Sequence, residues 1–245
     1  MHSCVSILGV RVDAVTLTEA RDTILALRSS KERCHVMTPN PEMLVAASRD
    51  PAFKELLNSS DLNVADGAGL LWAARRQGFR LPGRVTGIDL VCAVTEATNA
   101  PSVFLLGAAP GVAKKAAAVL QQKNPTLRIA GTFSGSPRAE EEPQIVAMIN
   151  ASGAEMLLVA YGAPTQDMWI RRNLPKLTSV NVAMGVGGTF DFLAGVRLRA
   201  PEVLRSLGLE WLWRLVQEPT RFRRILNAVV VFPVLVLTER WSRPS

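Results

Sequence analysis

Two kinds of segment alternate along the middle of the chain, from Ser102 to Gly195. Short apolar runs rich in β-branched residues end in glycine, and longer stretches of helical character follow them. VFLLG is followed by VAKKAAAVLQQKN, IAGTFSG by EEEPQIVAMINAS, and MLLVAYG by TQDMWIRRNL, before VAMGVGG closes the series. This alternation predicts parallel strands joined by right-handed crossover helices.

The first hundred residues continue the same theme. VSILGVRVDAV predicts a strand or a hairpin, and HVMTPN and LNVAD predict two further strands. TLTEARDTILALRSS and PEMLVAASRDPAFKELLNSS predict helices between them. No linker or low-complexity tract separates the two halves, so the sequence predicts one continuous α/β body over residues 1–198.

The pattern changes after about Arg199, where strand-like alternation stops. Residues 199–245 hold eight Arg and four Glu, so more than half of the net charge of +7 lies in this last fifth of the chain. Trp211, Trp213, Trp241 and several Leu and Phe residues lie among these arginines, and a break is expected near Pro219. We expect a helical, membrane-associating appendage over residues 199–245, held by apolar burial and basic side chains. A helix hairpin packed permanently on the body is the alternative.

Composition limits the chemistry that the chain can carry. The 28 Lys and Arg exceed the 21 Asp and Glu, which suits an anionic partner such as a nucleotide, a nucleic acid or a lipid headgroup. Because His2 and His35 are the only histidines, histidine triads and histidine-rich metal sites are close to excluded. The three widely spaced cysteines predict neither a disulfide framework nor a metal site, and they fit a reducing compartment.

Neither end of the chain has the pattern of a targeting or membrane-spanning segment. The amino terminus has no basic region before its apolar stretch, and it gains Arg11 and Asp13 within a few residues, unlike a signal peptide. The longest apolar run, residues 228–237, contains Pro233. Since a spanning helix needs roughly 20 apolar residues, we expect no transmembrane helix.

Polar and glycine-rich motifs follow the predicted strands. They are TPNPE (38–42), ADGAG (65–69), LLGAAPG (105–111), YGAPTQ (161–166) and GVGGTFD (185–191). Ligands of open parallel sheets bind beyond the carboxyl ends of the strands, where helix amino termini present free N–H groups. None of these motifs is a complete GxGxxG or a P-loop, which weakens dinucleotide binding and P-loop ATP hydrolysis. No Asp-x-Asp pair occurs, which weakens a metal bridging a diphosphate.

Several of these polar residues have structural interpretations as well as functional ones. Asn40 before Pro41 matches a helix N-cap, and Thr86 with Asp89 matches a capping box. Asp66 is suited equally to a helix cap and to a catalytic base at a strand end. The run Glu140 to Glu142 predicts a solvated first helical turn. We expect Trp169 in the core and Gln166, three residues earlier, to face a ligand.

Taken together, the motifs resemble the WecG/TagA/CpsF family of bacterial glycosyltransferases. TPNPEMLVAASRDPAF, ADGAGLLWAARRQG, RVTGIDL, LLGAAPGVAKKAA, YGAPTQDMWI and GVGGTFDFLAGVRLRAPEVLRSLGLEWLWRLVQEPTRFRR match in order from about His35 to Arg224. The resemblance implies a Rossmann-like, mostly parallel sheet with flanking helices. It implies an inverting, metal-independent transfer of a hexose or N-acetylhexosamine-type sugar from a UDP donor to a polyprenol-diphosphate-linked acceptor. GTFSGSP (131–137) departs from the family, in which histidines and an aromatic residue are frequent.

The resemblance also assigns roles to residues of this chain. An inverting transfer needs a base, and without histidine a carboxylate is the natural choice. Asp66 matches the family's base, and Thr38 is the second expected catalytic residue, at the neighbouring strand end, where it and Asn40 would help to position the sugar or the acceptor. Arginines and helix amino termini would stabilise the departing UDP in place of a metal, and no cofactor is expected. The residues expected to bind substrate are Asn40, Arg84, Gly107, Gly162, Gln166, Gly187, Asp191, Arg214, Arg221 and Arg224.

The implied location is the cytoplasm, peripheral on the inner face of the cytoplasmic membrane, where the lipid-linked acceptor resides. Two other classes of function stay open at this point. A nucleotide-cofactor oxidoreductase would use the Gly-rich body, although GxGxxG is absent. A non-catalytic membrane-peripheral protein would use the basic tail alone. Nucleic acid is not expected as a partner, because the tail mixes Trp, Leu and Arg as an interfacial helix does; a homo-oligomer is left open.

Overall fold

The computed structural model describes residues 2–30, 32–206 and 208–239, so Trp241 and the other residues after 239 lie outside the described part. The chain opens with an antiparallel hairpin, β1 (Cys4–Ile7) and β2 (Val10–Asp13). A parallel six-stranded sheet follows, in the order β4-β3-β8-β7-β5-β6. Its strands are β3 (Cys34–Met37), β4 (Leu62–Asn63), β5 (Val103–Gly107), β6 (Ile129–Phe133), β7 (Met156–Ala160) and β8 (Val182–Gly185). The predicted α/β fold with a Rossmann-like parallel sheet is confirmed.

Helices connect the strands, and several begin where the sequence supplies a cap. Thr16 and Glu19 form a capping box at the first helix, and Asn40 caps the second by accepting the Met43 N–H at 3.0 Å. The helices of the body are α1 (Leu17–Leu27), α2 (Pro41–Arg49), α3 (Pro51–Ser59), α4 (Ala68–Arg76), α5 (Gly87–Thr95), α6 (Val112–Lys123), α7 (Glu142–Ser152), α8 (Thr165–Asn173) and α9 (Thr189–Leu193).

Both faces of the sheet are buried, which explains the continuous apolar runs of its central strands. Along β5, Val103 and Leu105 pack against α1, α5, α6 and α9, whereas Phe104 and Leu106 pack against α7 and α8. Trp169 of α8 is fully buried in the second of these layers, as predicted. The hairpin, α2, α3 and α4 form a further apolar cluster at the β4 side of the sheet.

The first turn of α7 differs from the prediction. Glu142 is buried, and its carboxylate accepts hydrogen bonds from Arg172 Nε at 3.1 Å and Arg172 Nη2 at 2.6 Å. The Glu141 carboxylate accepts the N–H and the hydroxyl of Ser136. The acidic run therefore has partners on α8 and in the preceding loop. The expected solvated turn is wrong for Glu142, which is buried, whereas Glu141 is only half-buried.

The segment after Arg199 is helical in its described part. It contains α10 (Glu202–Ser206), α11 (Glu210–Gln217), a 3-10 turn (Pro219–Arg221), α12 (Phe222–Leu226), a π-helical turn (Asn227–Val231) and α13 (Phe232–Thr238). The expected break falls at Pro219. Phe232 and Val236 are fully buried in the cluster formed with α2 and α4, so α13 is anchored on the body. None of the described helices combines the length and the apolar character that a membrane crossing requires.

Candidate active site

The sheet has a switch point between its neighbouring strands β5 and β7. From β5 the chain passes through α6 to β6 on one side, and from β7 it passes through α8 to β8 on the other. The loops that leave the two strands therefore diverge and open a crevice at their carboxyl ends, which is where ligands of open α/β sheets bind. The motifs LLGAAPG and YGAPTQ form its two rims.

Glycine is required at both rims for different reasons. Gly107 has φ +100°, and a Cβ there would lie 2.9 Å from the carbonyl carbon of Ala160. The ends of β5 and β7 pack closely only because this side chain is missing. Gly162 has φ +81° and open space around its Cβ direction. The backbone of Gly162 is thus open to the close approach of a ligand.

Gln166 holds the loop after β7 against the loop after β8. Its side chain is only 4% exposed, and its Oε1 accepts the N–H groups of Gly162 and Gly187, each at 3.0 Å. Gln166 was expected to face a ligand; the structure shows its side-chain oxygen bound to these two loops. Gln166 contributes to the crevice through the backbone arrangement that it fixes.

Asp66 lies at the other end of the site, after β4. It does not cap α4, whose N-cap is Gly67 and lacks a side-chain cap. The Asp66 N–H donates to the Pro39 carbonyl at 2.9 Å, which ties the loop after β4 to the loop after β3. The N–H of Gly87, at the start of α5, lowers the pKa of the Asp66 carboxyl, so the helix terminus lies close to this side chain. The strand-end position thus leaves the carboxylate available for chemistry.

Two hydroxyl groups converge beside Gly87. A Cβ at Gly87 would lie 3.6 Å from Thr189 Oγ1 and 3.8 Å from Thr38 Oγ1. Thr38 follows β3 and Thr189 follows β8, so the ends of three neighbouring strands deliver Thr38, Thr189 and Asp66 around one helix terminus. This arrangement places the predicted Thr38 in the same cleft as Asp66.

Burial raises the pKa of Asp66 to about 6, well above the usual carboxyl value. Arg214 lowers this pKa, Glu210 raises it, and Arg84 and the Gly87 N–H lower it. The carboxylate is still mostly ionised at neutral pH, yet it is more basic than an exposed aspartate. A pKa close to the working pH is what a general base requires.

Two of the predicted arginines meet in front of Asp66 through a shared carboxylate. Arg84 Nη1 and Arg214 Nη2 donate to opposite oxygens of Glu210, both at 3.2 Å. The Arg214 guanidinium also lies 5.3 Å from the centre of the Phe192 ring. Its Nε is buried without a hydrogen-bond partner among the described residues.

A second group of arginines surrounds Glu218. Arg197 and Arg221 pair with it at 3.0 and 2.6 Å, and Arg224 pairs with Glu42 of the TPNPE motif. Burial lowers the pKa of Arg221, Glu218 raises it, and the nearby Arg224 and Arg197 lower it. Asp191, predicted to bind substrate, lies 3.6 Å from Arg197 and belongs to this group as an ion-pair partner.

Sequence reasoning missed several of these residues. Arg199 donates to both oxygens of Asp89 at 2.7 Å, across 110 residues of sequence. Glu210, Glu218 and Arg197 likewise acquire their place only when the carboxy-terminal segment folds back over the strand ends. Local spacing gives no signal for the pairs Arg199–Asp89, Arg84–Glu210 and Arg197–Glu218. Glu210–Arg214 and Glu218–Arg221, in contrast, lie four and three residues apart, a spacing that a helical pattern does offer. The side-chain oxygen of Asn40, a predicted substrate-binding residue, accepts the Met43 N–H and caps α2.

The described residues contain no group of three His, Cys, Asp or Glu side chains placed to hold a metal ion. The two arginine groups supply positive charge at the site. An open parallel sheet, a crevice at its switch point and a carboxylate framed by arginines define an α/β enzyme whose ligands are anionic.

Comparison with known proteins identifies the family. The sequence profile of the glycosyl transferase WecG/TagA/CpsF family matches residues 5–245. An N-acetylglucosaminyldiphosphoundecaprenol N-acetyl-beta-D-mannosaminyltransferase of Staphylococcus aureus strain MW2 is 33% identical over 232 residues, covering 93% of this chain and 90% of the relative. The proteins of the same name from strains NCTC 8325 / PS 47 and COL match to the same extent. The chain belongs to the WecG/TagA/CpsF family and is a glycosyltransferase.

Proposed function

We propose that this glycosyltransferase moves a sugar from a UDP-sugar to a polyprenol-diphosphate-linked saccharide, with inversion and without a metal, in the synthesis of a bacterial surface polysaccharide. The observation that carries the proposal is the Asp66 carboxylate, which lies at a strand end with a raised pKa and with Arg84 and Arg214 beside it. A base and cations close together are what a transfer with an anionic leaving group needs.

Asp66 acts as the general base in this proposal. Its carboxylate takes the proton from the attacking hydroxyl of the acceptor, and the acceptor oxygen forms a bond to the anomeric carbon of the donor. The bond from that carbon to the diphosphate oxygen breaks on the opposite face, and UDP leaves with the electron pair. Thr38, beside the base, positions the acceptor or the sugar.

The leaving UDP lies across the crevice between the loops after β5 and β7. The amino ends of α6 and α8 follow these loops and offer free N–H groups to phosphate. Arg84 and Arg214, with Arg221 and Arg224 in the second arginine group, stabilise the charge that develops on the diphosphate. Such donors take the place that a divalent cation holds in other glycosyltransferases.

The relatives guide the choice of substrates. Their name describes transfer of N-acetyl-β-D-mannosamine to N-acetylglucosaminyldiphosphoundecaprenol. Because a UDP-sugar is commonly α-linked, a β-linked product fits inversion. The GTFSGSP segment begins in the last three residues of β6, the edge strand next to β5, and continues into the loop that follows. From this position we expect it to border the crevice and to select the donor sugar.

The carboxy-terminal segment is proposed to hold the enzyme on the inner face of the cytoplasmic membrane. A stripe of exposed apolar residues recurs at helical spacing from α12 through the π-helical turn to α13, on the side away from Phe232. Trp211 and Trp213 are only partly exposed, and Trp213 Nε1 donates to the Leu198 carbonyl, so the stripe contains one Phe and four aliphatic residues and neither of these two Trp. Its exposed members are Phe222, Leu226, Val230, Val234 and Leu237.

A UDP-release assay tests the proposal. The full chain is offered a panel of UDP-sugars with a short-chain lipid-diphosphate N-acetylglucosamine acceptor, with and without EDTA. We expect acceptor-dependent UDP release that is highest with UDP-N-acetylmannosamine and that survives EDTA. Release that requires added manganese would overturn the metal-independent mechanism, and release with no donor of the panel would overturn the UDP-sugar assignment.

A further inference from the structure

Glu210 joins the carboxy-terminal segment to the body next to Asp66. Its Oε2 accepts from Arg84, which precedes α5, and its Oε1 accepts from Arg214, one turn further along α11. The Glu210 side chain is 16% exposed, and that of Arg84 is 20% exposed. The Glu210–Arg84 pair is therefore largely removed from solvent. Arg84 and Arg214 hold the Glu210 carboxylate from its two oxygens.

We propose that Glu210 is a positioning residue for the transfer: its carboxylate holds Arg84 and Arg214 together beside Asp66 and offsets part of their positive charge. The inference rests on the proposed function of Asp66 as the base. Nothing in the sequence motifs singled Glu210 out, because its role depends on a contact across 126 residues.

The charge balance around Asp66 explains why such a residue is needed. The arginines that stabilise a leaving diphosphate also favour the ionised form of the carboxylate beside them, which weakens it as a base. Burial is the main cause of the raised pKa of Asp66, and Glu210 raises it further, whereas Arg214, Arg84 and the Gly87 N–H lower it. Asp89, on α5, is already paired with Arg199, which donates to both of its oxygens. Glu210 thus lets cations and an effective base occupy one cleft.

Carbon-13 NMR tests directly whether Glu210 raises the pKa of Asp66. The full chain is labelled at its aspartate carboxyls and is free of substrate. The Asp66 signal is assigned by its loss in Asp66→Asn. In Glu210→Gln we expect the titration midpoint of Asp66 to fall by about half a unit or more, since a neighbouring negative charge is removed. Glu210→Asp keeps the charge and should leave the midpoint within about 0.3 unit of the parent protein. Glu202→Gln, an exposed site on α10, is the matched control.

Kinetics give the second readout. The acidic limb of the kcat/KM profile should move to lower pH by the same amount in Glu210→Gln, and the rate above the limb should fall about threefold to tenfold. If the titration midpoint of Asp66 is unchanged or raised in Glu210→Gln, the proposal is overturned. If Glu210→Gln does not fold, the titration midpoint of Asp66 is measured in Glu210→Ser in its place. A midpoint that falls without movement of the limb would support the role of Glu210 in the charge balance and refute Asp66 as the base.

Discussion

The side-chain oxygen of Gln166 lies 3.0 Å from the backbone nitrogen of Gly187, 21 residues further along the chain. The same oxygen accepts the Gly162 N–H. One buried amide therefore fixes the loop after β7 relative to the loop after β8, and β8 lies between the crevice at β5 and β7 and the Asp66 cleft at β3 and β4. Through this link the crevice and the cleft around Asp66 are built as one site.

Replacing Gln166 should separate this positioning role from a direct ligand contact. Gln166→Leu removes the acceptor of two N–H groups, and leaving them unpaired costs roughly 1–3 kcal/mol each where water cannot reach them. We expect lower thermal stability and UDP binding weakened at least about tenfold by calorimetry. Gln166→Glu keeps an oxygen acceptor and should retain the stability of the parent protein. The exposed Gln144→Leu on α7 is the control; UDP affinity at the parent value in Gln166→Leu would show that the bridge is dispensable.

Loss of the base should reduce the rate of transfer without reducing donor affinity. Asp66→Asn keeps the shape of the side chain but cannot accept the acceptor proton, so turnover should fall about 10²- to 10⁴-fold. UDP affinity should stay within about twofold, because the arginines and helix termini remain in place. Steady-state kinetics and calorimetry on the same preparation check both parts. Turnover near the parent rate with unchanged UDP affinity would remove Asp66 from the mechanism.

Asp66 should also make stability depend on pH. Its pKa is about 6 in the folded protein, against the ordinary aspartate value of 3.8 expected for the unfolded chain, so the folded state binds the proton more tightly. The stabilising contribution of the protonated form is complete below about pH 4 and is lost as the pH rises through about 6. Urea unfolding at pH 7.5 should therefore find Asp66→Asn more stable than the parent protein by about 1–2 kcal/mol. This figure is reduced because the side chain is partly exposed. At pH 4 the variant and the parent protein should be equally stable. A variant that is less stable at pH 7.5 would contradict the raised pKa.

The fold was predictable because its signals are local. Each strand of the sheet is an apolar run bounded by glycine or a helix cap, and burial on both faces follows from the parallel arrangement. Asn40 and Thr86 cap the helices at which the sequence places them. The misassigned Glu142 shows the limit: a carboxylate in a first helical turn is favourable in any case, and its partner Arg172 comes from another helix.

The site was only partly predictable, since its charges pair over long separations. Asp66, Thr38 and Gly87 follow strands or begin a helix, so topology alone brings them together. Arg84 and Arg214 meet only through Glu210, and Glu210 is ordinary as a residue in a helical pattern. The sequence indicates an excess of arginine in the carboxy-terminal segment. It does not indicate which carboxylates these arginines meet, because that depends on how the segment folds back on the body.

The exposed stripe on the last helical stretch should determine membrane binding. Val230 and Val234 are 50% and 53% exposed, whereas Phe232 between them is fully buried, so the two valines are accessible without disturbing the packing of α13. A charge on this face opposes insertion of the stripe among the lipids, because binding depends on buried apolar area plus attraction of basic residues to anionic headgroups.

The double variant Val230→Asp, Val234→Asp should lose flotation with vesicles that contain anionic lipid. It should transfer sugar to a short-chain acceptor in solution at close to the parent rate, but slowly to a long-chain acceptor in vesicles. Ala118→Asp on the exposed face of α6 adds the same charge elsewhere and should behave as the parent protein. If the double variant still floats and uses the vesicle acceptor at full rate, the stripe does not bind the membrane and the segment serves only to complete the site.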